Sequence, residues 1–207
     1  MLQALRVSVN EDNWSQSIDF LREGISYMRE KGVYSDVSNY HRLLALFLSL
    51  DGDFEAADHE LELLEHFFLF TEATAFERIL VELTKGSIAV HREDYEGVRY
   101  ARERLVEVNI EACIHYIGYF EIYLCLWKDS KETLPFDLQS GVANIWRGAH
   151  LWQVGGEYDH AMMLYALALA MRAGVGMDRR AEVEEMTKQL SPGRFKQEIE
   201  KTLAELS

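Results

Sequence analysis

Two prolines and two cysteines in 207 residues are very few, and each scarcity excludes something. Proline is the residue that most often interrupts a helix, so its rarity leaves long regular segments intact over most of the chain. Cys113 and Cys125 stand twelve positions apart in one helical pattern. That is roughly 18 Å at the helical rise, too far for a bridge within that helix. Two such thiols suit a reducing compartment, and a disulfide-stapled secreted scaffold is excluded. No run of about eighteen apolar residues passes without a charge, and Met1-Leu2-Gln3-Ala4-Leu5-Arg6 lacks the charged-then-apolar order of a leader. The expectation is a soluble, cytoplasmic chain.

Basic side chains are scarce too. Lys and Arg number 21 against 35 Asp and Glu, for a formal net charge of −14. Nucleic acid and anionic membrane both attract clustered cations, so neither is expected as a direct partner. Between Arg42 and Arg78 there is no Lys or Arg at all, while Asp51, Asp53, Glu55, Asp58, Glu60, Glu62, Glu65, Glu72 and Glu77 fall inside the window. A basic protein partner fits such a stretch, although a solvated acidic face is the plainer explanation.

Catalytic signatures are missing as well. The chain has no Gly-rich phosphate loop, no Gly-x-Ser-x-Gly elbow and no His-Glu-x-x-His. Glu55, His59, Glu62 and His66 recur on one outward helical stripe at a spacing that brings neighbouring ligand atoms within reach of a divalent ion. Exposed Glu and His on a wet helix face usually bind nothing specific. Glu157-Tyr158-Asp159-His160 is a single Glu-x-x-His where a di-iron bundle needs two, and Glu157 reads better as the acidic complement of a helix N-terminus. Neither an enzyme nor a metal or other cofactor is expected.

What is present is apolar periodicity. At 48% hydrophobic content, the chain is long enough to bury a continuous core as one domain over residues 1–207. Its organising stretch is Leu50-Asp51-Gly52-Asp53-Phe54-Glu55-Ala56-Ala57, a tight corner between two helical patterns. Arg92-Glu93-Asp94-Tyr95-Glu96-Gly97-Val98 and Gly155-Gly156-Glu157-Tyr158-Asp159-His160-Ala161 share its plan, and Asp12-Asn13-Trp14-Ser15-Gln16-Ser17 is a degenerate copy. The aromatics Trp14, Phe54, Tyr95 and Tyr158 are 40, 41 and 63 residues apart, the mark of stacked helical hairpins.

Taken in order, the 3.6-residue period predicts a first helix from Asn13 to Lys31, with Trp14, Ile18, Leu21, Ile25 and Met28 inward and Gly32 as C-terminal cap. A second is capped by Ser35 or Asp36 and buries Tyr40, Leu43, Leu44, Phe47 and Leu48. Asp53 caps a third, with Phe54, Ala57, Leu61, Leu64 and Phe68 on one side. Thr71 starts a fourth, with Phe76, Ile79, Leu80 and Leu83 inward, and Asp94 a fifth, with Tyr95, Val98, Ala101, Leu105 and Val108. The sixth, Ile110 to Trp127, is apolar almost all round. Leu134-Pro135 breaks the spacing, so 128–136 is an irregular connection. A seventh helix runs from Asp137 to Val154, and an eighth from Glu157 to about Ala173. Two amphipathic helices, Asp178 to Leu190 and Phe195 to Leu206, close the chain within 178–207, the last capped by Ser191 with Pro192 in its first turn.

The corners resemble those of tetratricopeptide repeats. Ala45, Gly52, Phe54 and Ala57 match best, then Ala149, Gly156, Tyr158 and Ala161. In the middle unit Gly86 occupies the small position, while Glu93 and Val98 depart from the usual Gly and Ala. The resemblance implies an all-α fold, an α-α superhelix of stacked antiparallel helix pairs with about nine or ten helices. Regular repeats would fill 13–127 and a last repeat 137–173. It also implies a concave side that binds a protein or peptide segment. Its groove positions fall on Asn39, Arg42 and Ser49, then Leu83, Ser87 and His91, then Trp146, His150 and Gln153. A basic clamp for terminal carboxylates needs several Lys, Asn and Arg there, and Arg42 is the only Lys or Arg among these positions.

On the sixth helix, Tyr116, Phe120, Tyr123 and Trp127 form an aromatic stripe that suits either a binding patch or core packing. The leading expectation is a non-catalytic protein- or peptide-binding scaffold. The alternatives are a sensor domain that binds a small ligand or controls a transcriptional regulator, and a structural homo-oligomer that buries helices six and eight between subunits.

Overall fold

The computed structural model describes residues 14–32, 37–128, 132–153 and 156–206. Residues 1–13, the expected caps Ser35 and Asp36, part of the 128–136 connection, and Val154 and Gly155 lie outside them. Among the described residues stand eleven α-helices, two short 3-10 turns and no strand, so the fold is all-α. The helices are α1 (Trp14–Lys31), α2 (Val37–Asp51), α3 (Phe54–Phe70), α4 (Ala75–His91), α5 (Tyr95–Val108), α6 (Ile114–Trp127), α7 (Leu138–Arg147), α8 (Ala149–Trp152), α9 (Glu157–Arg172), α10 (Arg180–Gln189) and α11 (Arg194–Ala204). They form two compact units, one running to Ala101 and the other beginning at Arg102, so α5 contributes to both.

In the first unit α2 is the hub. It packs against α1, α3 and α4, which explains why Leu43, Leu44, Ala45, Leu46, Phe47 and Leu48 are all buried rather than one stripe of them. The α1 stripe Trp14, Ile18, Leu21, Ile25 and Met28 is buried as its period predicts. Gly24 is where α1 comes closest to α2, since a Cβ there would run into the Tyr40 ring.

Two corners of this unit have the same backbone. After α2, the Gly52 amide donates to Ser49 O at 3.2 Å and the Asp53 amide to Leu48 O at 2.9 Å. After α4, the Glu93 amide donates to Val90 O at 3.1 Å and the Asp94 amide to Ala89 O at 2.8 Å. This is a Schellman closure, whose pivot must be left-handed. Gly52 adopts φ 88° and Glu93 φ 57°. The next residue opens the following helix: Asp53 Oδ1 accepts from the Ala56 amide at 3.1 Å, and Asp94 Oδ1 from the Gly97 amide at 3.0 Å. One aspartate thus ends one helix and caps the next.

The third connection differs from expectation. Thr71 does not start α4. It stands in extended geometry after α3, its hydroxyl returned to Phe67 O at 3.0 Å. Thr74 is the cap, in a reciprocal box with Glu77 that satisfies two helix-end amides. Phe76, expected inward, is 63% exposed; in the same first turn of α4 it is Glu77 that meets α2, through Ser38.

In the second unit the hub is α9, which packs against α6, α7, α10 and α11. Ala161, Met162, Met163, Leu164, Ala166, Leu167, Ala168, Leu169, Ala170 and Met171 are all buried. Neighbours within the chain therefore cover the all-round apolar helix. Beside it, α6 and α7 cross backbone to backbone at a pair of glycines. A Cβ on Gly118 would stand 2.5 Å from Gly141 O and 2.7 Å from the Ile145 amide.

The expected seventh helix is two pieces, broken at Gly148, which caps α7 at φ −88° and ψ 12°. A Cβ at Gly148 would lie 2.7 Å from His115 Cβ, so the break falls where the His115 side chain of α6 stands close. The last helix is also corrected. Gly193 precedes it with no side-chain cap, and Ser191 and Pro192 lie outside its first turn. The Ser191 amide instead donates to Glu157 Oε1 at 2.6 Å, which ties the α10–α11 linker to the start of α9.

Candidate functional site

The expected groove residues of the first unit lie along the seam between α2 and α4. Side-chain bonds cross it. Ser38 Oγ donates to Glu77 Oε1 at 3.2 Å, Arg42 Nη1 to Thr84 Oγ1 at 3.2 Å, and Ser49 Oγ meets His91 Nδ1 at 2.9 Å. Residue numbers rise together on both helices, so α2 and α4 run parallel. Arg42–Thr84 and Ser49–His91 both join residues 42 apart, close to the 41 that separates Phe54 from Tyr95. The first helices of two successive hairpins therefore stand side by side nearly in repeat register.

Within the seam, Arg42 is fixed on its own helix by Nε and Nη2 bonds to Asn39 Oδ1 at 3.3 and 2.9 Å. Asn39, Arg42 and His91 are half-buried and form its accessible edge. Ser49 and Ser87 lie beneath that edge, both buried. Ser87 Oγ donates to Leu83 O at 3.0 Å and Ser49 Oγ to Leu46 O at 2.7 Å. The Ser49 hydroxyl thus stands between Leu46 O and His91 Nδ1. Leu83 is buried as well. Behind the seam, His41 Nδ1 and Glu60 Oε2 stand 2.5 Å apart, joining α2 to α3.

A shallow cleft of about 210 Å³ opens between α3, α4 and the start of α5. Its charged groups are already engaged. Arg92 Nη2 lies 2.9 Å from both Asp58 carboxylate oxygens, and Lys85 Nζ lies 3.3 Å from Glu82 and against Glu65. The stripe Glu55, His59, Glu62 and His66 faces solvent. No three metal-ligating side chains converge among the described residues.

The remaining expected positions belong to the second unit. Trp146 is half-buried, with the Arg179 guanidinium 4.0 Å over its ring and Trp152 6.0 Å away. His150 and Gln153 are exposed. The aromatic stripe of α6 is divided: Phe120 and Tyr123 are buried in the core, whereas Tyr116 and Trp127 are half-buried. Burial raises the Tyr123 phenol well above its usual range.

Two features of this unit escaped the sequence reading. Glu121 is a charge buried on α6, held by Arg102 Nη2 at 2.6 Å and by the Asn144 amide at 2.9 Å. Phe136 lies 4.4 Å beneath the same guanidinium. His115 is buried with Nδ1 lacking a partner among the described residues. Desolvation, reinforced by the neighbouring His150, lowers its pKa to about 4. His160 is lowered by burial too, against the opposing charge of Glu157.

Compared with protein-family models, curated proteins and solved structures, the chain gives no match. No described helix is long and apolar enough to cross a membrane.

Proposed function

We propose that this chain is a non-catalytic helical-repeat module of the tetratricopeptide type, which binds a protein segment along the edge of the α2–α4 seam. The parallel, near-register pairing of α2 with α4 through Arg42–Thr84 and Ser49–His91 carries the reading. Hairpins that repeat their first helix side by side present a continuous row of equivalent side chains to an extended partner. Asn39, Arg42 and His91 supply polar groups on that row, and Arg42 places a guanidinium in an otherwise acidic stretch. The same proposal sets the chain in the cytoplasm, where Cys113 and Cys125, both free, stay reduced.

The test is selection of a displayed random-peptide library on the folded chain, followed by titration of the enriched peptide. Asn39→Ala/Arg42→Ala should weaken binding at least about tenfold, as loss of an Arg anchor does at other interfaces. A library that yields no consensus sinks the proposal, and so does a selected peptide indifferent to both substitutions.

A further inference from the structure

We propose that the corner between α3 and α4 docks a basic amphipathic helix of a partner protein, independently of the α2–α4 seam. Leu69, Phe70 and Phe76 are 75%, 84% and 63% exposed there. Three large apolar side chains left in water at one corner form the kind of patch that marks an interaction site.

The corner is built to hold them. Thr71 Oγ1 closes the end of α3 on Phe67 O, and the Thr74–Glu77 box fixes the start of α4. Phe68 is half-buried beneath, with Arg78 5.8 Å over its ring. The anchors are thus presented by capped helix ends, which lowers the ordering cost of binding.

Charge selects the occupant. The outward stripe of α3 runs Glu55, His59, Glu62, His66 and then Leu69 at i, i+4, i+7 spacing, so its carboxylates lead into the apolar end along one face. Glu55 to Leu69 spans about 21 Å, the length of roughly four helical turns. Asp58 and Glu65 are paired with Arg92 and Lys85. Glu55, Glu62 and Glu72 form no ion pair among the described residues. A helix with Lys or Arg along one edge and Leu or Phe at one end complements that arrangement in both respects. A second copy of this chain would set acidic stripe against acidic stripe, and an anionic bilayer would be repelled in the same way.

The experiment is fluorescence anisotropy of the full chain with a labelled Leu/Lys amphipathic peptide of about 18 residues, long enough to form a helix on contact. Controls are a Leu/Glu peptide of the same pattern and a Ser/Lys peptide of the same charge. The Leu/Lys peptide alone should bind. Phe70→Ser/Phe76→Ser should weaken it at least about tenfold, and Glu62→Lys/Glu72→Lys should weaken it and flatten its salt dependence. Asn39→Ala/Arg42→Ala should leave it unchanged, which separates this surface from the seam. Equal binding of the Ser/Lys peptide, binding of the Leu/Glu peptide, or retention by Phe70→Ser/Phe76→Ser overturns the proposal. So does wild-type dimerisation in sedimentation velocity that Phe70→Ser/Phe76→Ser abolishes, or co-flotation with phosphatidylcholine vesicles that the same variant abolishes.

Discussion

The two units both bury an apolar core, but they differ in the groups at its margin. Around α2 the first unit seals hydrogen-bonded polar groups inside, among them His41 against Glu60 and Ser49 against His91, while Leu69, Phe70 and Phe76 stay in water. Around α9 the second unit puts Phe120, Tyr123 and Trp152 inside, with alanine, leucine and methionine at the hub. A core of that second kind is stabilised by apolar burial and close packing. Leu69, Phe70 and Phe76 are the most exposed large apolar side chains among the described residues, and the α3–α4 docking surface is built on them. The contrast also says where a lost charge should matter, because the second unit holds its few polar groups with little solvent to replace a partner.

Arg102 gives the largest expected effect. Its Glu121 partner is 2% exposed, so Arg102→Ala leaves a buried carboxylate held only by Asn144 and should cost about 3–5 kcal/mol of unfolding free energy. Arg102→Met/Glu121→Met removes both charges and should return to within about 1 kcal/mol of wild type. In the first unit, Arg92→Ala breaks a pair whose Asp58 is exposed and should cost under about 1 kcal/mol. Urea unfolding of the four proteins decides the matter. Equal losses for Arg102→Ala and Arg92→Ala would erase the distinction between the units.

His115 comes next. Its pKa in the folded chain is about 4, against roughly 6.5 unfolded. The unfolded chain therefore takes up the proton first, and stability present above about pH 6.5 is lost as the pH falls toward 4, by up to roughly 3 kcal/mol. His115→Phe, close to the same shape, should flatten that part of the stability–pH curve. Burial lowers His160 in the same unit as well, so the part of the acid loss that belongs to His115 is the part that His115→Phe removes. A wild-type curve that overlies that of His115→Phe between pH 6.5 and 4 refutes the assignment.

The local chemistry of the chain was largely legible. Asp53 and Asp94 cap the helices they were expected to cap, Gly32 pivots at φ 65°, and the stripe from Trp14 to Met28 is inside. These features depend on residues within one or two turns of each other. Thr74-Ala75-Phe76-Glu77 was legible in the same way, since a Thr three positions before a Glu is a capping box, yet the start of α4 was read at Thr71. What sequence could not show came from distant partners. The room left by Gly148 is taken by His115 on another helix, and Glu121 is a lone acid on an apolar helix until Arg102, nineteen residues away, reaches it. Periodicity turned Phe76 inward, but in that turn it is Glu77 that faces α2, bonded to Ser38, and Phe76 stays exposed. Of the candidate site, the sequence picked out helices α2 and α4 but not the depth of each residue. Ser49 and Ser87 share a face with Arg42 and His91 and still lie below it.

The smallest expected effect tests whether the corners are equivalent. Gly52 and Glu93 occupy the same left-handed pivot, which suits glycine and costs any residue with a Cβ about 1 kcal/mol. Glu93→Gly should therefore stabilise the chain by about 0.5–1 kcal/mol, the gain trimmed by the freer unfolded chain that glycine brings. Gly52→Ala has open space around its new methyl, so its loss of about 1 kcal/mol would come from φ alone. Opposite shifts of the urea midpoint at unchanged slope are the expected pattern. Should Glu93→Gly lower the midpoint, the Glu93 side chain contributes more than its backbone strain costs, and the two corners share geometry without sharing energetics.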